Sequence, residues 1–421
     1  MSGPRSTISA EKMREILEVS RLLAVTADLD KLLSEIARAG AALLSAERAS
    51  IFLHDRVTDQ LWTKVAMGAS EIRVPSTAGI VGSVFQAGAL LNIPDAYADA
   101  RFNRDVDKRT GFVTRNLLTA PMFDLKGRAI GVIQAVNKTG GIFTAEDEES
   151  IALLCAQGGV AIQRYHLQND AIAVVELRRE MDLAKGIQES LLPARPPELD
   201  GLEAVGWTLP ASVTGGDTYD LWENSNGQLA VFLGDAAGHG LAPALEVLQA
   251  RTLARALSDL NCDPRWILTQ VNTRLAKDLK LGHFVTVFLG CLACDGKLTW
   301  SSAGHGPVLY RASPDEPVKV LEPPAPPIGV EDVFAADQTT PVQLDPGGML
   351  VVMSDGIFEA MVPGNSHEMF GVERVIEILD ANRYESPAVL LKLFREAVRS
   401  WQGRDEPNDD QSIVIVKRRG K

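Results

Sequence analysis

Carboxylates at the ends of apolar, strand-like runs constrain the C-terminal half of this chain more than any other feature. Asp217 lies in GGDTYD, Asp235 in LGDAAGHG, Asp355 in VVMSDGIFEA, and Asp409 with Asp410 in PNDDQSIVIV. A carboxylate at the end of an apolar run, such as Asp355 with only Ser354 between it and Met353, is poorly placed to be a solvated surface charge. If these strand ends converge, the like charges repel one another at considerable cost unless a cation neutralises them.

The segment from about residue 199 to residue 419 is rich in strand-like runs. They include QLAVFLGDAAG, HFVTVFLGCLA, KLTWSSAG, GPVLYRA, GMLVVMSDG and QSIVIVKR. Asp295-Gly296 between two of these runs is typical of a tight hairpin. We expect helices around 242–260 and 264–280, the second opening with Pro264, and a further pair between 371 and 401. This order predicts an antiparallel sandwich flanked by helices, in an α+β chain.

Hard divalent cations fit this pattern of carboxylates. Mg²⁺ and Mn²⁺ prefer carboxylate, carbonyl and water oxygens, and two ions can share a bridging carboxylate and keep several waters. A water held between two ions has a lowered pKa and is aimed at a substrate phosphorus for in-line attack. A single Asp-Gly pair is usually just a turn, but four acidic turns in this order predict a two-ion hydrolytic site.

Composition limits the classes of molecule that this chain is expected to bind. With 42 Lys+Arg against 55 Asp+Glu, a net charge of −13 argues against a generic nucleic-acid binder. No apolar stretch approaches the roughly 18 residues of a membrane span, and MSGPRSTISAEK has no signal-peptide core. The 4 cysteines are too few for a disulfide framework, and Cys291 and Cys294 are expected to be buried strand residues. We therefore expect a cytoplasmic protein that binds neither nucleic acid nor membrane.

The segment from about residue 10 to residue 165 predicts a separate α+β domain of the size of a sensor. Two amphipathic helices come first, and the second is capped around Asp28 or Asp30. The strand-like runs are ERASIFLHD, QLWTKVAMG, LLTAPMFD and AIGVIQAVNK. FTAEDEESIALLCAQGGVAIQRYH then closes the domain as a helix.

That closing helix is predicted to run on through a linker, residues 166–198. A heptad template places Leu167, Val174 and Met181 at one seam position and Leu177, Ala184 and Leu191 at the other, with Asp170 and Gln188 as polar exceptions. The pattern fits either a short parallel coiled coil, and hence a homodimer, or a helix packed against its own domain. The prolines of LLPARPPELDG then end the helix.

The C-terminal motifs resemble a known family. GGDTYD, GDAAGHGLAPAL, SSAGHGPVLYR, SDGIFEA and NDDQSIVIV, preceded by IQESLLPARPP, resemble the SpoIIE/RsbU-like branch of the PPM-type metal-dependent protein phosphatases, over about residues 183–418. The resemblance implies a β-sandwich between helical layers and two Mn²⁺ or Mg²⁺ ions. It also implies hydrolysis of phosphoserine or phosphothreonine on a protein such as an anti-sigma-factor antagonist.

By position, the resemblance implies which residues carry the chemistry. The catalytic and metal-binding residues would be Asp217, Asp235, Asp355 and Asp409, together with the backbone carbonyl of Ala236. Asp235 would bridge the two ions, and Asp409 is preferred to Asp410 because the family's ligand is the first of the pair. Thr218 replaces the usual aromatic residue and Ser412 the usual threonine, and neither change removes a ligand.

Three further polar residues are weaker candidates. Asp220 is a candidate outer-shell residue of the ions. His239 and His305 each lie in a Gly-His-Gly turn, and either could protonate the leaving serine oxygen, since histidine is the common general acid near neutral pH. The alternative for both histidines, a turn residue that hydrogen-bonds the backbone, is favoured.

Two stretches of the N-terminal segment carry a further resemblance: one begins GIVGSVFQAG and ends RNLLTAP, and the other is NKTGGIFTAEDEE. They resemble the cyclic-nucleotide-binding GAF domains of phosphodiesterases and bacterial adenylate cyclases. The second stretch matches a subfamily signature at Asn137, Lys138, Phe143, Asp147 and Glu148. These signature residues are expected to hold the fold together more than to touch a ligand.

A cyclic nucleotide is the regulatory ligand that this resemblance implies. Residues 79–82, Gly-Ile-Val-Gly, open a predicted helix whose free N–H groups could cradle a phosphate. By position, contacts would come from Ser50, from the backbone of Ile80 and Val81, and from Asn103, Asp107 and Thr114. Asn103 stands where some relatives have an aromatic residue, which leaves the choice between adenine and guanine open. The alternative is a GAF domain that only dimerises.

These patterns together predict a signalling phosphatase in which a GAF sensor dimer acts through the 167–191 helix on a PPM-type domain. The alternative from another class is a catalytically inactive module that senses a nucleotide and docks partners. All four expected carboxylate positions are filled, which argues against it. A nucleotide-cyclase interpretation of GGD would leave Asp355 and Asp409 without a role.

Overall fold

The computed structural model describes residues 8–63, 72–331, 339–362 and 365–420. The predicted strand QLWTKVAMG is described only at residues 60–63, and the rest of it lies outside the described residues, as do the first seven residues of the chain. The chain divides into two compact units, Met1–Val175 and Glu176–Lys421. Along the described ranges, no helix is at once long and apolar enough to cross a membrane.

The N-terminal unit is a six-stranded antiparallel sheet, in the order β3-β2-β1-β6-β5-β4, with helices on both faces. The strands are β1 (Ala46–Asp55), β2 (Gln60–Thr63), β3 (Ile72–Pro75), β4 (Leu91–Ile93), β5 (Leu117–Phe123) and β6 (Ala129–Lys138). The helices are α1 (Ala10–Val25), α2 (Leu29–Leu43), α3 (Gly79–Ala87), α4 (Arg104–Thr110) and α5 (Ala145–Leu191). The Asp28 side chain caps α2 by accepting from the Lys31 amide, as the sequence predicted.

The two faces of this sheet carry different layers. On one face, α1, α2 and the first half of α5 bury Leu23, Ile36 and Leu154 against the sheet residues Ile51 and Ile133. On the other face, α3 packs Val81 and Val84 against the sheet. The predicted ligand-binding helix therefore lies on the face opposite the long helix.

The long helix α5 is continuous from Ala145 to Leu191, which confirms the prediction that the closing helix runs on. Three of its predicted seam residues are largely exposed: Leu167 at 57%, Val174 at 65% and Leu177 at 60%. Near the end of the helix the seam becomes buried, since Gln188 is only 9% exposed. The coiled coil stays a prediction. In such a coiled coil, the helix of a second copy would bury this exposed apolar stripe.

The C-terminal unit is a sandwich of two five-stranded antiparallel sheets, in the orders β14-β11-β10-β9-β8 and β13-β12-β15-β18-β7. The strands are β7 (Leu202–Leu209), β8 (Asp217–Glu223), β9 (Leu229–Ala236), β10 (Val285–Leu292), β11 (Lys297–Ala303), β12 (Val308–Arg311), β13 (Lys319–Leu321), β14 (Val342–Gln343), β15 (Met349–Met353), β16 (Met361–Val362), β17 (Asn365–Met369) and β18 (Gln411–Arg418). Strands β16 and β17 form a separate small ribbon. The helices are α6 (Leu241–Ser258), α7 (Pro264–Leu275), α8 (Asp355–Phe358), α9 (Val372–Ala381) and α10 (Pro387–Gln402).

Both faces of each sheet are buried, which explains the nearly continuous apolar runs. In β9, Val231 and Leu233 point into the sandwich interior, where they meet Val352 of β15. Their neighbour Phe232 points the other way, into the layer formed by α6 and α7. Helices α9 and α10 cover the second sheet in the same manner. The predicted α+β class and helix-flanked sandwich are confirmed.

The hairpin between β10 and β11 turns at Asp295-Gly296 as predicted, and Gly296 takes a φ of 91° that favours glycine. Cys291 is buried in β10, as expected. Cys294 is exposed because it lies in the turn rather than in the strand, so the expectation of two buried cysteines was wrong for this residue.

Candidate active site

Two of the predicted carboxylates face each other across neighbouring strands. Asp217 at the start of β8 is the register partner of Asp235 near the end of β9. Side chains alternate along a strand, so Asp217 shares its face with Tyr219 and Asp235 shares its face with Leu233, and both faces look into the sandwich interior. Directly opposed residues have Cβ atoms about 4.5–5.5 Å apart, so two like charges are held side by side.

The second sheet brings the other two carboxylates to the same end of the sandwich. Asp355 follows β15 by two residues, and Asp409 precedes β18 by two residues. These strands pair, and the Ser354 amide donates to the Ser412 carbonyl at 2.9 Å. The charges of Asp355 and Asp409 both act on Asp235 of the first sheet. The structure thus brings all four predicted aspartates to one edge of the sandwich, which we call the acidic edge.

Crowding at the acidic edge changes the protonation of its members. Burial, reinforced by the charges of Asp355 and Asp409, raises the pKa of Asp235 to about 7. Burial and the charge of Asp235 also hold the pKa of Asp217 well above its usual range. For Asp355, burial is again the main cause of a raised pKa and Asp409 the next. A cation placed among these carboxylates would stabilise their charged forms and so lower these pKa values.

The residues present fit a hard divalent cation. Asp217 Oδ2 is buried and has no hydrogen-bond partner within the described part of the chain. A Cβ on Gly216 would lie 2.7 Å from the Ala236 carbonyl oxygen and 3.1 Å from that of Gly238, so only a glycine leaves room beside these oxygens. Every candidate donor is an oxygen, as Mg²⁺ and Mn²⁺ prefer.

The side chains alone do not form a complete set of ligands. Among the described residues, no three His, Cys, Asp or Glu side chains are grouped closely enough to hold one ion. A cation at the acidic edge would therefore draw on the Ala236 carbonyl and on water as well. This suits Mg²⁺, which is typically bound through one or two carboxylates and keeps several waters.

The neighbouring residues Asp409 and Asp410 have different environments. Asp409 is exposed, and its Oδ1 accepts from the Asp410 amide at 2.9 Å. Asp410 is buried, and its two carboxylate oxygens accept from the amides of Ala211 and Gly216. Asp409 is thus the more accessible carboxylate of the pair. The role of Asp410 was missed, because no local sequence signal reveals which distant amides it reaches.

Asp220 does not belong to the acidic edge. It is fully buried on the opposite face of β8, where its Oδ2 accepts from Arg251 at 2.6 Å and from Arg255 at 2.8 Å. These arginines lie on α6, so Asp220 ties the sheet to the helix. The prediction of an outer-shell role is corrected accordingly.

The two histidines also differ. His305 is buried and its Nδ1 lies 2.9 Å from the Thr286 hydroxyl oxygen. Burial lowers the pKa of His305 to about 4, so the ring is neutral at physiological pH and is poorly suited to donate a proton. These observations favour a structural role for His305, with a threonine hydroxyl rather than the backbone as the partner of Nδ1. His239 is exposed in the turn that follows Ala236 and remains a candidate acid.

Gln188 of α5 contacts the acidic edge and was also missed. Its Nε2 donates to the Gly215 carbonyl at 2.7 Å, and the Gly215 amide donates back to its Oε1 at 3.2 Å. The Asp217 carbonyl lies 3.5 Å from the same Nε2. The available signal was that Gln188 is, with Asp170, one of the two polar residues in a mostly apolar seam. It connects the long helix to the glycine turn that precedes Asp217.

In the N-terminal unit, the α3 terminus is the most available part of the predicted ligand site. The helix starts at Gly79, whose φ is 66°, and no side chain caps it. Ile80 and Val81 are buried, so a ligand would meet their backbone N–H groups rather than their side chains. Ser50 is half-buried on β1.

The side chains of the other predicted contacts form hydrogen bonds within the domain. Asp107 accepts from the Thr114 amide at 2.7 Å and from the Thr114 hydroxyl at 2.9 Å, and the Tyr97 hydroxyl donates to it at 3.1 Å. The Asn103 side chain caps α4 by accepting from the Asp105 amide at 3.1 Å. A ligand would have to use the remaining capacity of these groups or displace their present partners.

The signature residues hold the fold, as expected. Asn137 is buried at a φ of 58°, accepts from the Arg115 amide at 2.6 Å and donates to the Val113 carbonyl at 2.8 Å. Lys138 pairs with Asp147 at 2.7 Å. Asn137 thus ties β6 to the connection between α4 and β5, and Lys138 ties β6 to the start of α5, so both residues stabilise the domain.

Family models match both halves of the chain. Residues 28–162 match the GAF domain, and residues 225–419 match Stage II sporulation protein E (SpoIIE). The SiaA-PP2C domain of Pseudomonas aeruginosa superimposes with a TM-score of 0.51 at 23% identity, covering 60% of this chain and 99% of that domain. At this level of identity the superposition shows a shared fold, so the C-terminal unit has a PP2C-like fold. In this chain a segment of the GAF type is followed by a segment of the SpoIIE type.

Curated relatives share a domain-sized segment with the chain. The probable 3',5'-cyclic phosphodiesterase pde-5 of Caenorhabditis elegans is 34% identical over 153 residues, which is 33% of this chain and 21% of that protein. The dual 3',5'-cyclic-AMP and -GMP phosphodiesterase 11A of Takifugu rubripes is 37% identical over 126 residues, 30% of this chain and 13% of that protein. The matches therefore span only a minor part of these relatives.

Proposed function

We propose that this chain is a signalling phosphatase that hydrolyses phosphoserine or phosphothreonine on a protein. The observation that carries the proposal is the acidic edge, where Asp217 and Asp235 oppose each other and feel the charges contributed by the second sheet. Bound Mn²⁺ or Mg²⁺ would supply charge neutralisation and an activated water for in-line attack on phosphorus.

Each residue of the edge has a distinct task. Asp217 offers a buried oxygen that has no hydrogen-bond partner among the described residues. Asp235 would be the carboxylate shared by two ions, because it lies opposite Asp217 and the charges of Asp355 and Asp409 act on it. The Ala236 carbonyl, Asp355 and Asp409 complete the set. His239 lies in the same turn as Ala236 and is the candidate that would protonate the leaving serine oxygen.

The substrate we propose is a phosphorylated switch protein such as an anti-sigma-factor antagonist, as the family branch implies. Regulation would come from a cyclic nucleotide that binds at the N-terminus of α3, where backbone N–H groups can cradle a phosphate. The Takifugu relative is a dual cyclic-AMP and cyclic-GMP phosphodiesterase, and both nucleotides are therefore tested.

Helix α5 is the proposed relay between ligand and active site. It is continuous, and Gln188 near its end hydrogen-bonds the turn before Asp217. The exposed stripe of Leu167, Val174 and Leu177 supports a homodimer through a parallel coiled coil. Met181→Pro should abolish any nucleotide effect on turnover while leaving nucleotide binding intact. An unchanged nucleotide effect would show that the helix is not the relay.

Hydrolysis of p-nitrophenyl phosphate by the full chain tests the proposal. Turnover should require Mn²⁺ or Mg²⁺, should be lost in Asp235→Ala, and should persist in Glu406→Ala, which changes an exposed acid. Cyclic AMP and cyclic GMP are added in parallel. If neither metal supports turnover on this ester or on a phosphoprotein, while a cyclic nucleotide still binds, the result would favour the alternative, a catalytically inactive module that senses a nucleotide and docks partners.

A further inference from the structure

Asp410 contacts the segments that carry three of the candidate ligands. It follows Asp409 directly in the chain. Its Oδ1 accepts from the Ala211 amide at 2.6 Å and its Oδ2 accepts from the Gly216 amide, one residue before Asp217. Its backbone carbonyl accepts from the Ser354 hydroxyl at 3.2 Å, one residue before Asp355. One buried residue therefore joins segments from both sheets.

The packing around Asp410 leaves little freedom. A Cβ on Gly215 would lie 2.8 Å from Asp410 Oδ2, and a Cβ on Gly356 would lie 2.2 Å from the Asp410 carbonyl oxygen. Both glycines are therefore required by the close approach of this residue. Both carboxylate oxygens of Asp410 accept from backbone amides, so this group is hydrogen-bonded to the protein at both oxygens.

We infer that Asp410 is a positioning residue, which fixes the turn before Asp217 against the segment that carries Asp409 and so sets the spacing of ligands from the two sheets. The inference rests on the proposed function, because the groups positioned are the proposed metal ligands. Charge-assisted hydrogen bonds to backbone amides are among the stronger ones, which suits a residue that must hold two loops together. In this arrangement Asp409 would bind an ion and Asp410 would hold the two loops in place.

Hydrogen exchange of the metal-free full chain is the primary test. In Asp410→Asn the neutral amide can accept from only one of the two backbone N–H groups, so exchange at Ala211 and Gly216 should accelerate by about tenfold. Asp409→Asn removes a proposed ligand but not these hydrogen bonds, so its exchange at the same amides should match the wild type. Glu406→Gln, which changes the charge of an exposed neighbour, should also leave them unchanged.

Metal binding is the second readout. The Mn²⁺ concentration that gives half-maximal thermal stabilisation should rise about tenfold in Asp410→Asn and more in Asp409→Asn. Gly215→Ala, whose Cβ would press on Asp410 Oδ2, should reproduce the Asp410→Asn result, while Gly420→Ala, with nothing within 4 Å of its Cβ, should not. If Asp410→Asn fails to fold, the Gly215→Ala result decides.

Two outcomes would overturn the inference. One is wild-type exchange at Ala211 and Gly216 in Asp410→Asn, or in Gly215→Ala where that variant decides. The other is accelerated exchange with an unchanged Mn²⁺ midpoint, which would make Asp410 a merely structural residue. Because the exchange is measured without metal or substrate, a wild-type chain that lacks phosphatase turnover would refute the proposed function and leave this measurement intact.

Discussion

Carboxylates have opposite environments in two regions of the molecule, the acidic edge of the C-terminal sandwich and the α3–α4 region of the N-terminal unit. At the acidic edge, Asp217 Oδ2 has no partner within the described residues and Asp235 is surrounded by like charge. In the α3–α4 region, Asp107 accepts hydrogen bonds from Thr114 and Tyr97. The first arrangement is costly without a cation, whereas the second is complete without a ligand.

This difference indicates how each region would gain free energy from binding a ligand. A cation at the acidic edge would relieve repulsion that is already present, so binding and stability should rise together. Of the predicted ligand contacts in the N-terminal unit, the uncapped terminus of α3 is the one that offers free N–H groups, whereas Asp107 and Asn103 already accept hydrogen bonds. The affinity for a nucleotide would come from those N–H groups and from rearranged contacts.

The largest expected effect is on catalysis. Asp217→Asn keeps the shape of the side chain but removes the charge of the carboxylate whose buried Oδ2 lacks a partner within the described residues, so metal-dependent turnover should fall by about a thousandfold. Steady-state hydrolysis at saturating Mn²⁺ measures this, with Asp259→Asn as the exposed control. A variant that keeps near wild-type turnover would remove Asp217 from the site.

Replacing Asp235 should stabilise the metal-free protein. Its pKa of about 7 lies above the ordinary 3.8, so between about pH 4 and pH 7 the unfolded state releases the proton while the folded state keeps it. This group therefore lowers the free energy of unfolding progressively across that window and by a constant amount above it. Asp235→Asn should add about 1–3 kcal/mol at pH 8 and nothing below pH 4. Urea denaturation at the two pH values measures the difference, and a variant that is less stable than wild type at pH 8 would contradict the repulsion.

The matching replacement in the N-terminal unit should have the opposite sign. Asp107→Asn turns charge-assisted hydrogen bonds from the Thr114 amide and hydroxyl into neutral ones, which should cost about 1–2 kcal/mol. Scanning calorimetry of the full chain measures the loss. Asp105→Asn, an exposed acid on the same helix, is the control. A gain in stability from Asp107→Asn would erase the contrast between the two regions.

The smallest effect is expected at the end of the long helix. Gln188→Met fills a similar volume but leaves both polar groups of Gly215 without their partner, so turnover should fall by about tenfold while cyclic-nucleotide binding is unchanged. Glu180→Met, on an exposed part of the same helix, should behave as wild type. Equal effects from the two variants would assign the loss to the helix in general and not to the Gln188 contact.

Much of the fold and of the site was predictable because it depends on local pattern. Asp28 caps α2, Pro264 opens α7, and the strand that ends before Asp355 lies where its apolar run predicts. The convergence of four aspartates followed from their positions at strand ends. These features depend on alternation, capping and turn chemistry, which the sequence carries locally.

What escaped prediction depends on contacts between distant segments. Asp410 reaches amides about 200 residues away, and Asp220 meets arginines of a helix that begins 21 residues later. Neither partner can be inferred without the register of the sheets. The neutral state of His305 likewise depends on burial by surrounding strands and not on its Gly-His-Gly turn.

Calorimetric titration of the metal-free full chain with Mn²⁺ measures directly whether the acidic edge binds a cation. We expect saturable binding by the wild type, no binding by Asp235→Asn, and unchanged binding by Asp107→Asn. Absence of binding by the wild type, or equal binding by wild type and Asp235→Asn, would contradict the claim that the crowded carboxylates of the acidic edge are a cation site.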